Sequence, residues 1–363
     1  MVKVSVIMPV FNGNKLIEKS IESVNNQNLK DIELICITNC STDNCLETLD
    51  KFSKEYKFIK IFTEENLSLA EARNKGIKES SGKYIAFLDP GDIFLDKTAL
   101  KKMYNWAIKN DANIVCGNLK RINSDNELLK NPNYQLDYCS RFKEYYLVRP
   151  KHYGLPWDFQ KNIFKKDFLI KNEIAFPDLK IGSDIVFLAD YLTSIQEIYI
   201  IPIDLYGYDY TINGKYKDKF KNYTMKHDYI LHFKKLFEIL DYSKFEKNAN
   251  KLKKIFIDDL NKAIENKDTE FYNIFNKIFD NTKTLNKYKD ELLYFDLFFS
   301  TLILRNGEIV ENFYKMKDKL KKINLDSNTL PKKLVLEVEF ILSSKNFEYY
   351  KLNIDEFLKS MKE

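Results

Sequence analysis

Short apolar runs and stretches of helical spacing alternate from the first residues to about residue 116, and this alternation is the strongest constraint on the fold. Runs at 3–9, 32–37, 58–62, 85–88 and 112–116 read as strands. Between them, Leu16, Ile17, Ser20, Ile21 and Val24 share one helical face, as do Leu46, Leu49 and Phe52. Leu69, Ala72 and Ile77 mark a third helix over 68–79, and 99–110 reads as a fourth. Strands that alternate with helices are joined by right-handed crossovers, so the expected class is α/β, a mostly parallel sheet flanked by helices. No Gly-x-Gly-x-x-Gly follows the first strand, which argues against a dinucleotide-binding arrangement.

The most informative strand is the fourth. Ile85, Ala86, Phe87 and Leu88 are continuously apolar, as expected for a strand covered on both faces. Asp89 closes the run, and Pro90 and Gly91 do not continue it. Asp89 and Asp92 are thereby delivered to the carboxyl edge of the sheet, where open α/β folds bind ligands. Asp, Pro and Gly also make ordinary turns, so this stretch alone supports either reading.

Further along, 124–149 is polar and irregular, and 150–158 reads as a loop on the binding face carrying His152, Tyr153, Trp157 and Asp158. A short helix is expected at 165–171, an extended segment at 174–177 and a helix at 183–192. Strands are expected at 198–201 and 205–210. After about residue 215 glycine nearly vanishes, and Lys, Phe, Leu and Ile dominate. Helices are expected at 229–240, from 252, and at 271–279, 291–304, 310–320, 334–342 and 354–361. The domains are therefore expected at 1–218, α/β, and 219–363, all-α.

Composition narrows the class. With 44% hydrophobic and 31% charged residues the chain reads as a soluble globular protein. A net charge of +5 gives no argument for nucleic acid. No apolar run reaches the length of a membrane span. Five cysteines, with no zinc-like spacing, read as reduced thiols of a cytoplasmic protein. The Lys-rich helical half offers a surface for a protein partner or for the inner face of a membrane.

Five segments carry a resemblance over residues 1 to about 212. They are 4–12 (VSVIMPVFN), 39–43 (NCSTD), 70–77 (AEARNKGI), 87–92 (FLDPGD) and 183–187 (SDIVF). In this order and spacing the chain resembles the family-2 glycosyltransferases of GT-A fold; the helical part resembles nothing identified. The resemblance implies an inverting enzyme that moves a sugar from a nucleoside diphosphate donor, a UDP-sugar, to a glycan or lipid-linked glycan acceptor in surface polysaccharide or oligosaccharide synthesis. Pro9, Phe11 and Asn12 match the loop along the nucleotide base and ribose, and Asn39 stands where the family has an aspartate accepting the uracil N–H. An asparagine oxygen can still accept that bond. Arg73 matches a position facing base or phosphate, where a planar guanidinium suits anionic oxygen.

Asp89 and Asp92 match the ends of the family's Asp-x-Asp-Asp element, which implies Mn²⁺ or Mg²⁺ held by these carboxylates, with Asp89 also contacting the donor. The middle aspartate is Gly91 here. Asp184 matches the catalytic base, and its usual glutamate neighbour is Ser183. Asn39, Gly91 and Ser183 keep a second reading open: a nucleotide-sugar- or glycan-binding module without turnover.

Overall fold

The computed structural model describes residues 1–11, 14–38, 45–129, 144–153, 155–213, 223–240 and 269–279, with scattered positions elsewhere from 252 onward. The chain divides into two compact units, Met1–Leu252 and Lys253–Glu363.

Among the described residues, the first unit has nine strands. These are β1 (Val4–Val10), β2 (Ile32–Thr38), β3 (Ile59–Thr63), β4 (Tyr84–Phe87), β5 (Ile93–Phe94), β6 (Ile114–Ile122), β7 (Tyr146–Val148), β8 (Asn162–Lys165) and β9 (Ile198–Asp209). They form one sheet in the order β3-β2-β1-β4-β8-β6-β9-β5, with β7 also on β9. β3, β2, β1 and β4 are parallel throughout. β8 then enters antiparallel between β4 and β6, and β6 is parallel to β9. Parallel pairing thus governs the first four of the five strands that the alternating pattern defines; the fifth, β6, lies in the mixed part of the sheet. β8 has four residues, too few to show a period, and the strands expected at 198–201 and 205–210 are one long β9 that ends at Asp209.

Its helices are α1 (Asn14–Asn25), α2 (Cys45–Glu55), α3 (Leu69–Glu79), α4 (Ala99–Lys109), α5 (Lys166–Lys171), α6 (Ser183–Ser194), α7 (Tyr210–Asn213) and α8 (Tyr223–Ile239). Two cores lie on opposite faces of the sheet. On one, Val4, Val6, Met8, Tyr84, Ala86 and Leu88 meet Ile17, Leu49 and Met103. On the other, Ile7, Ile85 and Phe87 meet Ile77, Phe187 and Tyr191. Successive side chains of a strand point to opposite faces, so a strand covered twice must be apolar at every position. That is why 85–88 reads as an unbroken run.

Helix α3 is the element that sets the site. Ser68 caps it: its hydroxyl accepts from the Glu71 N–H at 3.2 Å, while the Glu71 carboxylate accepts from the Ser68 N–H at 2.8 Å. At Gly76 the helix lies so close to β1 that a Cβ would sit 2.4 Å from Ile7 Cγ2. This close approach fixes α3 against the central strands and carries Arg73, one turn earlier, over their carboxyl ends.

Helix α8 packs as part of the first unit. Its Asp228 accepts from the Lys180 N–H at 2.9 Å, just before α6. The compact unit therefore runs past the change of composition near 218/219 and ends at Leu252. In the second unit the described helix α9 (Thr269–Phe279) buries Phe271, Ile274, Phe275, Ile278 and Phe279. The helices expected at 291–304 and 354–361 lie outside the described residues, as do most of 310–320 and 334–342. Among the described residues, no helix is long and apolar enough to cross a membrane.

The amino edge of the sheet is tied by a buried carboxylate. Glu33 of β2 accepts from Ser5 Oγ at 2.5 Å, Lys60 Nζ at 2.6 Å and the Ser81 N–H at 2.6 Å. Ser5 Oγ also accepts from the Gly82 N–H at 2.8 Å, so β1, β2, β3 and the entry to β4 meet here. Burial opposes the charge, but the Lys60, Ser5 and Ser81 bonds outweigh it and pull Glu33 from the ordinary 4.5 down to about 2. Because this pKa is depressed, its stabilisation is present above pH 4.5 and lost as pH falls towards 2. Glu33→Gln is expected to destabilise the fold by roughly 1–3 kcal/mol at pH 7. Denaturant titrations should show the parent's advantage shrinking below pH 4.5; an undiminished gap at low pH would remove Glu33 from this role.

Candidate active site

The carboxyl edge of the parallel strands gathers one arginine and three aspartates. Arg73 Nη2 donates to both Asp89 oxygens, at 2.9 and 3.1 Å. Asp89 lies two residues past the end of β4 and keeps 22% of its side chain exposed, whereas Arg73 keeps 6%. Gln160 adds a bond from Nε2 to Asp89 Oδ2 at 3.3 Å. The guanidinium lies 4.9 Å from the Phe159 ring and 5.4 Å from the Phe176 ring. Electron-rich ring faces favour a cation there. Burial works against the Arg73 charge, yet the nearby Asp89 and Asp184 charges prevail and raise its pKa. Among the described residues, Arg73 Nε is buried without a hydrogen-bond partner.

Asp184 is the second residue of α6. Burial raises its pKa above the ordinary aspartate value, and Arg73 opposes the rise, followed by backbone N–H groups of Ile185 and Asp184. Its side chain thus sits in the field of the same arginine that holds Asp89. Ser183, where the family has glutamate, donates from Oγ to the Pro177 carbonyl at 2.7 Å and takes no part in this charge cluster.

Asp92 faces inward. It is fully buried, accepting from the Tyr206 hydroxyl at 2.6 Å and from the Asp209 N–H at 2.8 Å. Burial, then the Asp89 charge, pushes it up to about 7 against the pull of those two bonds. Tyr206 also accepts from the Asp89 N–H at 3.1 Å, which links the two aspartates through one phenol. Gly91 between them has φ +95°, a conformation that favours glycine over any side chain. Its N–H donates to Ser20 Oγ at 3.0 Å, and Ser20 donates to the Asp92 carbonyl at 2.7 Å, pinning the acidic loop to α1. A side chain placed on this backbone at position 91 would be strained.

Among the other residues singled out by sequence, Pro9 is buried in β1. Phe11 is partly buried against Ile35, Ile37 and Ala72. Asn12 and Asn39 lie outside the described residues. His152 is exposed in the turn Pro150–His152, and Trp157 is partly buried, its Nε1 lacking a partner among the described residues. Sequence reasoning missed Phe159, Gln160, Phe176 and Tyr206. Tyr206 and Phe176 were visible only as members of aromatic or extended segments, and nothing in the sequence singles out Gln160.

No cluster of three His, Cys, Asp or Glu residues suited to a metal occurs among the described residues. A hard divalent ion can nevertheless bind through a single carboxylate when substrate phosphates and water complete its shell. The partly exposed Asp89 fits an ion of that kind, delivered with a ligand; the inward Asp92 does not offer a second oxygen in this arrangement. The site as a whole can hold an anion against Arg73 and can accept a proton at Asp184.

The model of the family described as "Glycosyl transferase family 2" matches residues 5–167. The cholesterol galactosyltransferase of Borreliella burgdorferi is 32% identical over 212 residues, covering 54% of this chain and 57% of that protein. The poly(ribitol-phosphate) beta-N-acetylglucosaminyltransferase TarP of Staphylococcus aureus is 32% identical over 219 residues, 59% of this chain and 64% of that protein. The chain thus spans less than two thirds of these relatives. Among solved structures, S. aureus TarS 1–349 in complex with UDP shares the fold at 16% identity, with TM-score 0.59 over 99% of this chain and 92% of that one. The match to the glycosyl transferase family 2 model thus lies within residues 5–167, on a sheet whose GT-A fold is shared with TarS.

Proposed function

We infer that the chain transfers a sugar from a nucleoside diphosphate donor to an acceptor hydroxyl with inversion at the anomeric carbon. The observation that carries this reading is the placement of Arg73, Asp89 and Asp184 in one electrostatic neighbourhood at the carboxyl edge of the sheet. Asp184 takes the proton of the acceptor hydroxyl as its oxygen bonds to the anomeric carbon. The bond from that carbon to the donor phosphate oxygen breaks, and its electron pair leaves with the diphosphate. Arg73 meets the charge of the diphosphate, with its unpartnered Nε as a further donor. Asp89 orients Arg73 and is the carboxylate to which Mn²⁺ or Mg²⁺ would bind; when bound, such an ion neutralises the departing diphosphate.

Uridine is the base proposed. The chain has Asn39 where the family accepts the uracil N–H, and TarS, which shares the fold, is solved with UDP. Phe11 and Pro9 at the end of β1 lie along the base and ribose in this reading, with Asn12 following them. The acceptor is proposed to be a glycan or lipid-linked glycan of a cell surface, in keeping with the relatives named for cholesterol and poly(ribitol-phosphate) transfer. The enzyme works in the cytoplasm in this reading, and residues 219–363 serve as a platform for a protein or membrane partner.

Two outcomes test the chemistry. Asp184→Asn should lower transfer about 10²–10⁴-fold while UDP affinity changes little. The raised pKa means that burial penalises the charged form, so the parent loses stability as pH rises through it and the amide should melt at or above the parental temperature at pH 7. A variant that transfers at the parental rate would place the base elsewhere. Arg73→Gln should weaken UDP binding about tenfold or more, as expected for loss of a charge-assisted contact. It should also move the acid limb of the pH–rate profile upward, because the cation that opposes the rise of Asp184 is gone. Calorimetry with UDP and a pH series read these effects separately; unchanged UDP affinity would remove Arg73 from the donor site.

A further inference from the structure

We propose that Asn74 is a positioning residue that holds the segment bearing Asp184 in register with the donor site, an inference that rests on the role of Asp184 proposed above. Asn74 is the neighbour of Arg73 on α3, but it points to a different partner. Its Nδ2 donates to the Phe176 carbonyl at 2.8 Å, and its Oδ1 accepts from the Phe176 N–H at 2.9 Å. One side-chain amide thus satisfies both backbone groups of a single residue, as an adjacent strand would. Residues 174–182 have no regular secondary structure to do this. A segment without a ladder needs such a partner to hold a fixed position when buried.

Two further contacts carry the constraint from Phe176 to α6 and Asp184. The Phe176 ring stacks on Phe187 of α6, with centroids 3.9 Å apart and planes at 7°. Phe187 stands one turn after Asp184 on the same helix. Pro177, next to Phe176, accepts from Ser183 Oγ at 2.7 Å. Finally, the other edge of this aromatic group, Phe159 and Phe176, flanks the Arg73 guanidinium. The Arg73-Asn74 pair therefore splits its work across the site. Arg73 fixes the acidic loop after β4, and Asn74 fixes the approach to α6. Rigid α3, locked on β1 at Gly76, sets the distance between them. An error of about 1 Å in the placement of a reacting group can cost about 10²-fold in rate, which is the size of effect that such a clamp guards against.

The test combines a structural reading with a double-variant cycle. In Asn74→Ala, hydrogen exchange at Phe176 and at the first amides of α6 should quicken about tenfold or more, as expected when both bonds to the backbone go, while the amides of β1 and β4 keep their protection. UDP affinity should stay within about threefold, because Arg73 and Asp89 are untouched. The rate of UDP release from UDP-glucose, UDP-galactose or UDP-N-acetylglucosamine should fall about ten- to a hundredfold in kcat. In the Asp184→Asn background the same substitution should cost almost nothing further. Unchanged exchange at 176–186, loss of UDP affinity beyond tenfold in a folded variant, or an equal fall in both backgrounds would each overturn the proposal. A parental rate in Asp184→Asn alone would instead overturn the assignment of the base, leaving the exchange result to stand on its own. Should Asn74→Ala fail to fold, Ser183→Ala frees the same segment at Pro177. Its exchange and its cycle with Asp184→Asn should then change in the same directions, and the same contrary results would overturn the proposal.

Discussion

The structure of the site depends on one ion pair. Arg73 is nearly enclosed, and a buried cation without a partner is strongly unfavourable. Asp89 supplies the partner, and two phenylalanine faces supply the rest of the cation's surroundings. The pair joins a helix to the end of the central strand, so the backbone geometry of both is fixed by it. Removing either partner would leave the other charge buried, which costs more than the pair contributes when intact. Asp184 then feels a cation whose place is already set, and its protonation is governed by the same contact.

Much of this was legible in the sequence. Two-sided burial leaves an unbroken apolar run, so 85–88 announced its strand and the acidic turn after it. The helical spacing of Leu69, Ala72 and Ile77 announced α3, and with it the helix that carries Arg73. The order of the five segments gave the family resemblance, which the family match over residues 5–167 supports. Element periodicity served best where an element is long and packed on one consistent side. β8, four residues wedged antiparallel between β4 and β6, has no such signature.

The site's inner layer was less legible, and the reason is physical. Periodicity reports which residues are buried, not which buried residues touch. Phe176 and Phe159 come from separate segments and meet in one aromatic cluster with Phe87 and Phe187, beside which the Arg73 guanidinium lies. Asp92 matches a metal-binding position by order in the chain, yet its direction is set by Tyr206 and Asp209, more than a hundred residues later. Gly91 reads as a lost carboxylate from sequence alone. Its φ of +95° makes it instead the residue that lets the acidic loop turn and fasten to Ser20.

The two edges of the sheet treat their acids in opposite ways. At the amino edge Glu33 is drawn down to about 2 by converging donors, so ionisation there stabilises the fold. At the carboxyl edge burial outweighs the donors around Asp92 and Asp184, and both are raised. For a carboxyl group a raised folded pKa means that stability falls as pH climbs from the ordinary value through the raised one. With Asp92 lifted from 3.8 to about 7, that loss extends into the neutral range. The fold therefore rests on its amino edge and carries unfavourable charge at its carboxyl edge. Such an arrangement has a chemical use: a carboxylate kept poorly solvated is a stronger proton acceptor than one bathed in water. Arg73 opposes the rise at Asp184, so the contact that fixes the arginine also moderates the basicity of that carboxylate.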